Sequence, residues 1–272
     1  MYVPLWAKSN FSFLEGASHP AQLVERAHEL GLPALALTDR DGVYGIVRAH
    51  VRAKELGLRM IYGAQVTVQD DEDGPQRQVV LLTQDRAGYG TLCQLLSAGR
   101  ARCPKGRSRV LTAELREAGP GLVALCPEPA LMPALREPFG DRLYALVTRH
   151  RHDGDAQREQ TLRRAASVLG VDVVAGNEVL YHHRSRRSLQ DVLTCIRHGC
   201  TLSSAGTRIR SNAEHDLLPP AQMNALFADT PEAVANSLRV AERCTFSLDQ
   251  LRYRYPAELL PQGHTPSDWL RT

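Results

Sequence analysis

Two carboxylates stand just past apolar runs, where an α/β protein places its chemistry. Asp39 follows Ala34-Leu35-Ala36-Leu37-Thr38 and precedes Arg40-Asp41-Gly42, and Glu178 lies in Gly176-Asn177-Glu178-Val179-Leu180 after the run Val171 to Ala175. Carboxylates in such positions, joined by imidazoles, hold divalent ions that lower the pKa of bound water for hydrolysis. Imidazoles are present as His150-Arg151-His152 and His182-His183. Their neighbours Arg149, Arg151, Arg184, Arg186 and Arg187 oppose a divalent cation, so these stretches are expected to be solvated basic loops, with displaced metal ligands as the alternative. A second cationic run holds Arg100, Arg102, Lys105, Arg107 and Arg109 without an acid between them. It fits contact with template phosphate or a partner protein, or a plain solvated loop; with no aromatic residue interleaved, base stacking is not indicated.

The elements that must position these residues alternate along the chain. Tyr2 to Ser9 reads as a strand, and Ser18 and Pro20 open a helix carrying Leu23, Val24, Ala27 and Leu30 at helical spacing. Ala34 to Leu37 reads as a short buried parallel strand. Further strands are expected near Met60 to Val68, Gln78 to Thr83, Leu122 to Cys126, Leu143 to Val147 and Val171 to Ala175. Helices are expected near Ile46 to Leu56, Tyr89 to Leu96, Thr112 to Glu117, Gln157 to Leu169 and Ser188 to Ile196. About seven strands alternating with helices predict a parallel barrel in preference to a doubly wound sheet. After residue 200 the strand signals stop, and Pro219 to Phe227 and Pro231 to Cys244 read as helices. The expected division is an α/β barrel over 1–200 and, over 201–272, a helical extension that caps it or leads into a following domain.

Composition narrows the function. The 272 residues, 43% of them hydrophobic, can build a substantial core, and 33 basic against 30 acidic side chains leave a formal charge of only +3. That is far from the excess of a dedicated nucleic-acid binder, so any DNA contact is expected to be local. The six cysteines form no C-x-x-C pair, which predicts reduced thiols in a cytoplasm, and Cys126 before Pro127 reads as a core thiol. No apolar run approaches the ~20 residues that span a bilayer.

Three stretches carry a family resemblance: Ser9-Asn10-Phe11-Ser12-Phe13-Leu14-Glu15-Gly16-Ala17-Ser18, Ala34-Leu35-Ala36-Leu37-Thr38-Asp39-Arg40-Asp41-Gly42-Val43-Tyr44-Gly45, and Leu251-Arg252-Tyr253-Arg254-Tyr255-Pro256. Together with Asp85-Arg86-Ala87-Gly88-Tyr89 and Ala241-Glu242-Arg243-Cys244, they resemble the PHP domain at the N-terminus of bacterial error-prone C-family DNA polymerases. The resemblance implies a distorted seven-stranded (β/α) barrel. It also implies a parent chain that continues into a polymerase core and acts in translesion synthesis, DNA repair and damage-induced mutagenesis. Implied partners are the remainder of that chain, DNA through the parent protein, a sliding clamp and translesion accessory proteins such as an inactive Y-family-like polymerase, with no membrane.

Metal-binding members of the superfamily gather two or three divalent ions with a His-x-His on the first strand, a Thr-Asp-His after the second, a glutamate after the third and an Asp-x-His or Asn-Asp-Val-His near the last. By that comparison the positions here are Trp6 and Lys8, then Asp39 and Arg40, then Gln65, then Glu178 and Leu180. Lysine and arginine offer no free lone pair and leucine no donor atom, so only Asp39 and Glu178 keep ligand chemistry. The expectation is therefore a degenerate, metal-free domain without catalytic residue or cofactor, a structural and interaction module in which Lys8 supplies the charge once supplied by metal. The rival readings are a metal-dependent phosphoesterase or proofreading nuclease using Asp39, Glu178 and rearranged histidines, and a DNA-binding module acting through Arg100 to Arg109.

Overall fold

The structure, a computed structural model, describes residues 1–118, 120–251 and 267. Its centre is one curled sheet of six strands: β1 (Ala34–Leu37), β2 (Arg59–Val68), β3 (Arg77–Thr83), β4 (Leu122–Cys126), β5 (Leu143–Thr148) and β6 (Asp172–Gly176). The strands lie side by side in chain order. β1 with β2, β4 with β5 and β5 with β6 are parallel, whereas β3 runs antiparallel to both β2 and β4. The acidic turn from Asp70 to Gly74 explains the reversal, because it joins β2 to β3 directly and leaves no room for a crossover helix.

Nine helices accompany the sheet among the described residues: α1 (Pro20–Glu29), α2 (Ile46–Leu56), α3 (Arg86–Ala101), α4 (Thr112–Glu117), α5 (Met132–Phe139), α6 (Asp155–Leu169), α7 (Arg187–His198), α8 (Pro220–Leu226) and α9 (Pro231–Arg243). Their starts follow local chemistry. Asp85 caps α3 by accepting from the Gly88 N–H at 2.8 Å, and Pro20, Pro220 and Pro231 occupy first-turn positions where no N–H is required. Helix α5 has no counterpart in the sequence reading, because Pro133 and Pro138 break the periodic signal; Pro133 lies in the first turn and Pro138 next to the end.

The seventh strand expected at Tyr2 to Ser9 is replaced by an extended segment with one isolated bridge, Ala7 to Val179. The segment touches both ends of the sheet. Its Pro4 and Ala7 carbonyls accept from Ala36 (2.9 Å) and Thr38 (2.8 Å), while Val179 N–H donates to Trp6 and Lys8 N–H donates to Val179. A regular ladder fails for two reasons: Pro4 has no N–H, and the Ala7 N–H donates to the Thr38 hydroxyl, not to a carbonyl. The chain is thus an α/β fold with a curled six-stranded sheet whose two edges the segment bridges, and among the described residues the expected seventh strand does not form.

The side chains of Val3, Leu5 and Trp6 enter the core on the concave face of that sheet with Ile61, Val80, Leu82, Val123, Leu125 and Leu146. Helix α9 enters the same cluster through Val240 and Ala241, followed by Cys244 just past its end. It is tied there by the Ser237 hydroxyl, which accepts from Val3 N–H at 3.0 Å, and by Arg59, which donates to the Ala241 and Cys244 carbonyls. The motif from Arg252 to Pro256 lies outside the described residues.

Two measurements check this packing. Leu5→Ala is expected to cost roughly 2–5 kcal/mol in denaturant unfolding, as a fully buried leucine should. Removing the chain from Pro219 onward is expected to abolish cooperative unfolding, because α9 packs Val240 and Ala241 into the core on the sheet and is tied to the bridging segment through Ser237 and Val3; unchanged melting would show that α9 belongs to another unit.

Candidate functional site

The rim at the C-terminal ends of β1 and β6 collects the motif residues. In the bridging segment, side chains two apart share a face, and Trp6 and Lys8 do so: the Lys8 ammonium lies 5.5 Å from the centre of the Trp6 ring. Trp6 Nε1 donates to Gln65 Oε1 at 3.0 Å, so two positions expected to face the rim hold one another. Leu180 is buried beside Ala17 and Tyr181 in a small apolar cluster.

Lys8 Nζ lies 2.6 Å from Glu178 Oε1, and both side chains are almost wholly buried. Arg210 binds the other oxygen of Glu178 at 3.0 Å. Burial alone would raise the Glu178 pKa, but Lys8, Arg210 and His215 outweigh it and hold the carboxyl well below the usual range. Glu15, which sequence reasoning missed, accepts from Lys8 at 3.4 Å, from Arg40 at 2.9 Å and from Arg197. Its pKa is lowered too, since Lys8, Arg40 and Arg197 overcome its burial. Arg40 therefore turns to Glu15, and the network sets four cations around two carboxylates.

Asp39 is handled differently. Among the described residues it makes no ion pair; it accepts from Ser9 N–H (2.7 Å), the Ser9 hydroxyl (2.8 Å) and the Ser12 hydroxyl (2.7 Å). Burial raises its pKa, and these hydrogen bonds offset only part of the rise. The loop after Ser9 is compact enough to deliver both serines because a side chain at Gly16 would place Cβ 2.1 Å from the Ser9 carbonyl oxygen. Gly45 is held in the same way, its Cβ position lying 2.7 Å from Asp39 Oδ2. Asp41, three residues into the motif loop from Thr38, binds the N–H and hydroxyl of Thr67.

The expected solvated loop at His150 and His152 is corrected. His150 is buried and His152 half-buried, and they meet His215, a residue the sequence reading did not single out. The His150 and His215 rings stack at 4.0 Å, and His152 Nε2 lies 3.3 Å from His215 Nε2. Burial lowers the pKa of His150 to about 4 and that of His215 to about 3, so both are neutral at ordinary pH. Arg149, expected to repel cations here, instead grips Glu159 and Asp229. A cavity of about 680 Å³ opens beside the cluster, lined in part by His150, His152, Glu178 and Arg210. His182 lies apart and bonds to the Ser18 hydroxyl at 2.7 Å.

Three of the five cations in the Arg100–Arg109 run bond to their own chain. Arg100 donates to the Asp41 carbonyl, Arg102 makes a two-pronged pair with Glu114, and Arg109 donates to the Asp70 carbonyl. Lys105 and Arg107 are exposed.

Residues 5–175 match the family model for the PHP domain. Over 268 residues, 94% of this chain, the sequence is 45% identical to an error-prone DNA polymerase of Anaeromyxobacter dehalogenans, covering 23% of that protein. Error-prone DNA polymerases of Rhodopirellula baltica (38% identical) and Pseudomonas fluorescens (42%) match 99% of this chain, which covers 25% and 26% of their lengths. The chain thus spans about a quarter of the curated relatives it matches. Among solved structures, an amidohydrolase from Chromobacterium violaceum superposes with a TM-score of 0.51 at 15% identity, over 66% of this chain and 88% of the other. A metal-dependent phosphoesterase candidate of Bifidobacterium adolescentis gives 0.50 at 18% identity, over 65% and 86%. These two likenesses concern the fold. The chain belongs to the PHP domain family, and along nearly its whole length it is similar to bacterial error-prone DNA polymerases.

Proposed function

We propose that this chain is a degenerate PHP domain that serves as a structural and interaction module of an error-prone DNA polymerase, and that it assembles no polynuclear hydrolytic centre. The observation that carries the reading is the 2.6 Å contact between the buried Lys8 ammonium and Glu178. A metal ion bound by Glu178 would have to displace both Lys8 and Arg210 from its oxygens. At Asp39 it would have to displace three hydrogen-bond donors, with Arg40 and Gln65 adjoining where a histidine and a glutamate would be needed. The donor set at these positions does not fit the superfamily's metal cluster.

In this reading the rest of the polymerase chain supplies nucleotide transfer, and the domain contributes a rigid surface to it. Clamp and translesion accessory proteins would reach the domain through that assembly. DNA contact through the cationic run is reduced to Lys105 and Arg107, since its other members are turned onto their own chain. Asp39 and Glu178 then act through shape and charge, not as acid, base or ligand.

Two experiments test the proposal. Phosphomonoester and single-stranded DNA hydrolysis, assayed with manganese and zinc, is expected to be absent or insensitive to Asp39→Asn and Glu178→Gln; turnover abolished by either change would overturn it. Lys8→Ala is expected to cost roughly 3–5 kcal/mol, because an uncompensated carboxylate stays buried, whereas an exposed pair would cost under about 1 kcal/mol. Denaturant titration of Lys8→Ala, Glu178→Gln and the double variant reads that coupling directly, and additive effects would mean that the pair does not hold the rim.

A further inference from the structure

Away from the ion-pair network's lysine, three imidazoles that no PHP motif position predicts converge at the mouth of the cavity. His150 and His152 lie on the turn after β5, and His215 lies on the segment that pairs with Tyr181 through Asp216. Their candidate ligand nitrogens all fall within 4.8 Å of one another. We propose that His150, His152 and His215 form a mononuclear site for a transition-metal ion of the zinc class, separate from Asp39 and its serines.

The spacing matches the chemistry. Two imidazole nitrogens bound tetrahedrally at zinc distances stand about 3.3–3.4 Å apart. His152 Nε2 and His215 Nε2 are 3.3 Å apart. His215 is presented in the tautomer a metal needs, because its Nδ1 donates to the Glu178 carbonyl at 2.9 Å and leaves Nε2 with its lone pair. His152 Nδ1 lies 2.7 Å from the Ser211 hydroxyl, which can accept a hydrogen bond from Nδ1–H and leave Nε2 with its lone pair in turn. Without metal, the same contact is an N–H···N hydrogen bond from His152 to His215. His150 is the third ligand: its ring stacks on that of His215 at an interplanar angle of 13°, so it must rotate out of the stack and release the bond its Nε2 accepts from Glu178 N–H at 3.2 Å before its lone pair meets the ion.

The backbone also holds the site in place. Arg151, between the two loop histidines, has φ +56°, a left-handed conformation that a non-glycine residue keeps only when its surroundings impose it. Asp155 imposes it by accepting from both the His150 and His152 N–H groups, and Asn212 donates to the His150 carbonyl at 2.6 Å. The Arg151 side chain is exposed, with its guanidinium 4.0 Å from Glu214. Arg210 faces the cluster, but its charge is spent on Glu178. Three histidine ligands leave the fourth coordination position to solvent from the cavity, the arrangement of an open zinc site.

The test uses the purified 272-residue chain, stripped with chelator and titrated with Zn²⁺ against a chromophoric competitor, and with Co²⁺ followed by visible absorbance. One ion per chain and the intense absorbance of four-coordinate cobalt are expected. His152→Ala, at a half-buried position that the fold should tolerate, and His215→Ala are each expected to weaken binding at least about 100-fold, beyond the loss typical of an outer-shell partner. The exposed His198→Ala should leave it unchanged. Wild-type affinity in a folded His152→Ala chain, or equal weakening by His198→Ala, would overturn the proposal. So would zinc lost with Asp39→Asn but kept by His152→Ala, which would place the ion at the family's motif positions instead.

Discussion

The segment from Pro4 to Ser9 is the piece on which the architecture depends. An open six-stranded sheet leaves unpaired backbone groups at β1 and beyond β6, and such edges are costly when buried and adhesive when exposed. The segment satisfies both edges at once, with Ala36 and Thr38 donating to it on one side and Val179 exchanging hydrogen bonds with Trp6 and Lys8 on the other. It also brings Leu5 and Trp6 into the concave core and Lys8 to Glu178. Sheet closure, core packing and rim charge are therefore three consequences of one register. A slip by a single residue would turn Lys8 into the wall and Ala7 toward the carboxylate.

Charge at the rim is resolved by two different physical means. Glu178 and Glu15 are kept ionised by cations, so their burial is repaid by Coulomb attraction in a poorly screened setting. Asp39 receives only neutral donors, and its pKa is raised. The difference follows from chain geometry. Asp39 sits inside the turn made by Ser9 and Ser12, where N–H and hydroxyl groups already converge, whereas Glu178 and Glu15 lie where long cationic side chains can reach.

Much of this was legible in the sequence, and the exceptions have definite causes. Short apolar runs such as Ala34–Leu37 and Leu122–Cys126 mark strands because a buried strand needs nothing else. The segment from Tyr2 to Ser9 carries the same signal but not the same pairing, since Pro4 and the Thr38 hydroxyl interrupt the ladder in a way periodicity does not record. Helix α5 hides behind its prolines. The positions from Trp6 to Leu180 could be located because each is anchored to a local motif. Glu15 and His215 could not, as their partners lie up to 182 residues away for Glu15 and 65 for His215. The solvated loop expected at His150 and His152 failed because Arg149, which looks free in sequence, finds Glu159 and Asp229 in space and draws the loop inward.

An ammonium and a metal ion hold a carboxylate by the same attraction, yet they differ in what they leave open. Lys8 arrives on a covalent stem, presents three donors and offers no empty orbital to water or phosphate. It can hold the segment after β6 in place without polarising a substrate. A buried ion pair is seldom the most stabilising filling for such a space, and apolar residues of similar volume often do as well. What the Lys8–Glu178 pair adds is direction. Its 2.6 Å contact is satisfied in only one register of the closing segment, so a pair worth little to net stability still selects one closed rim over its shifted alternatives.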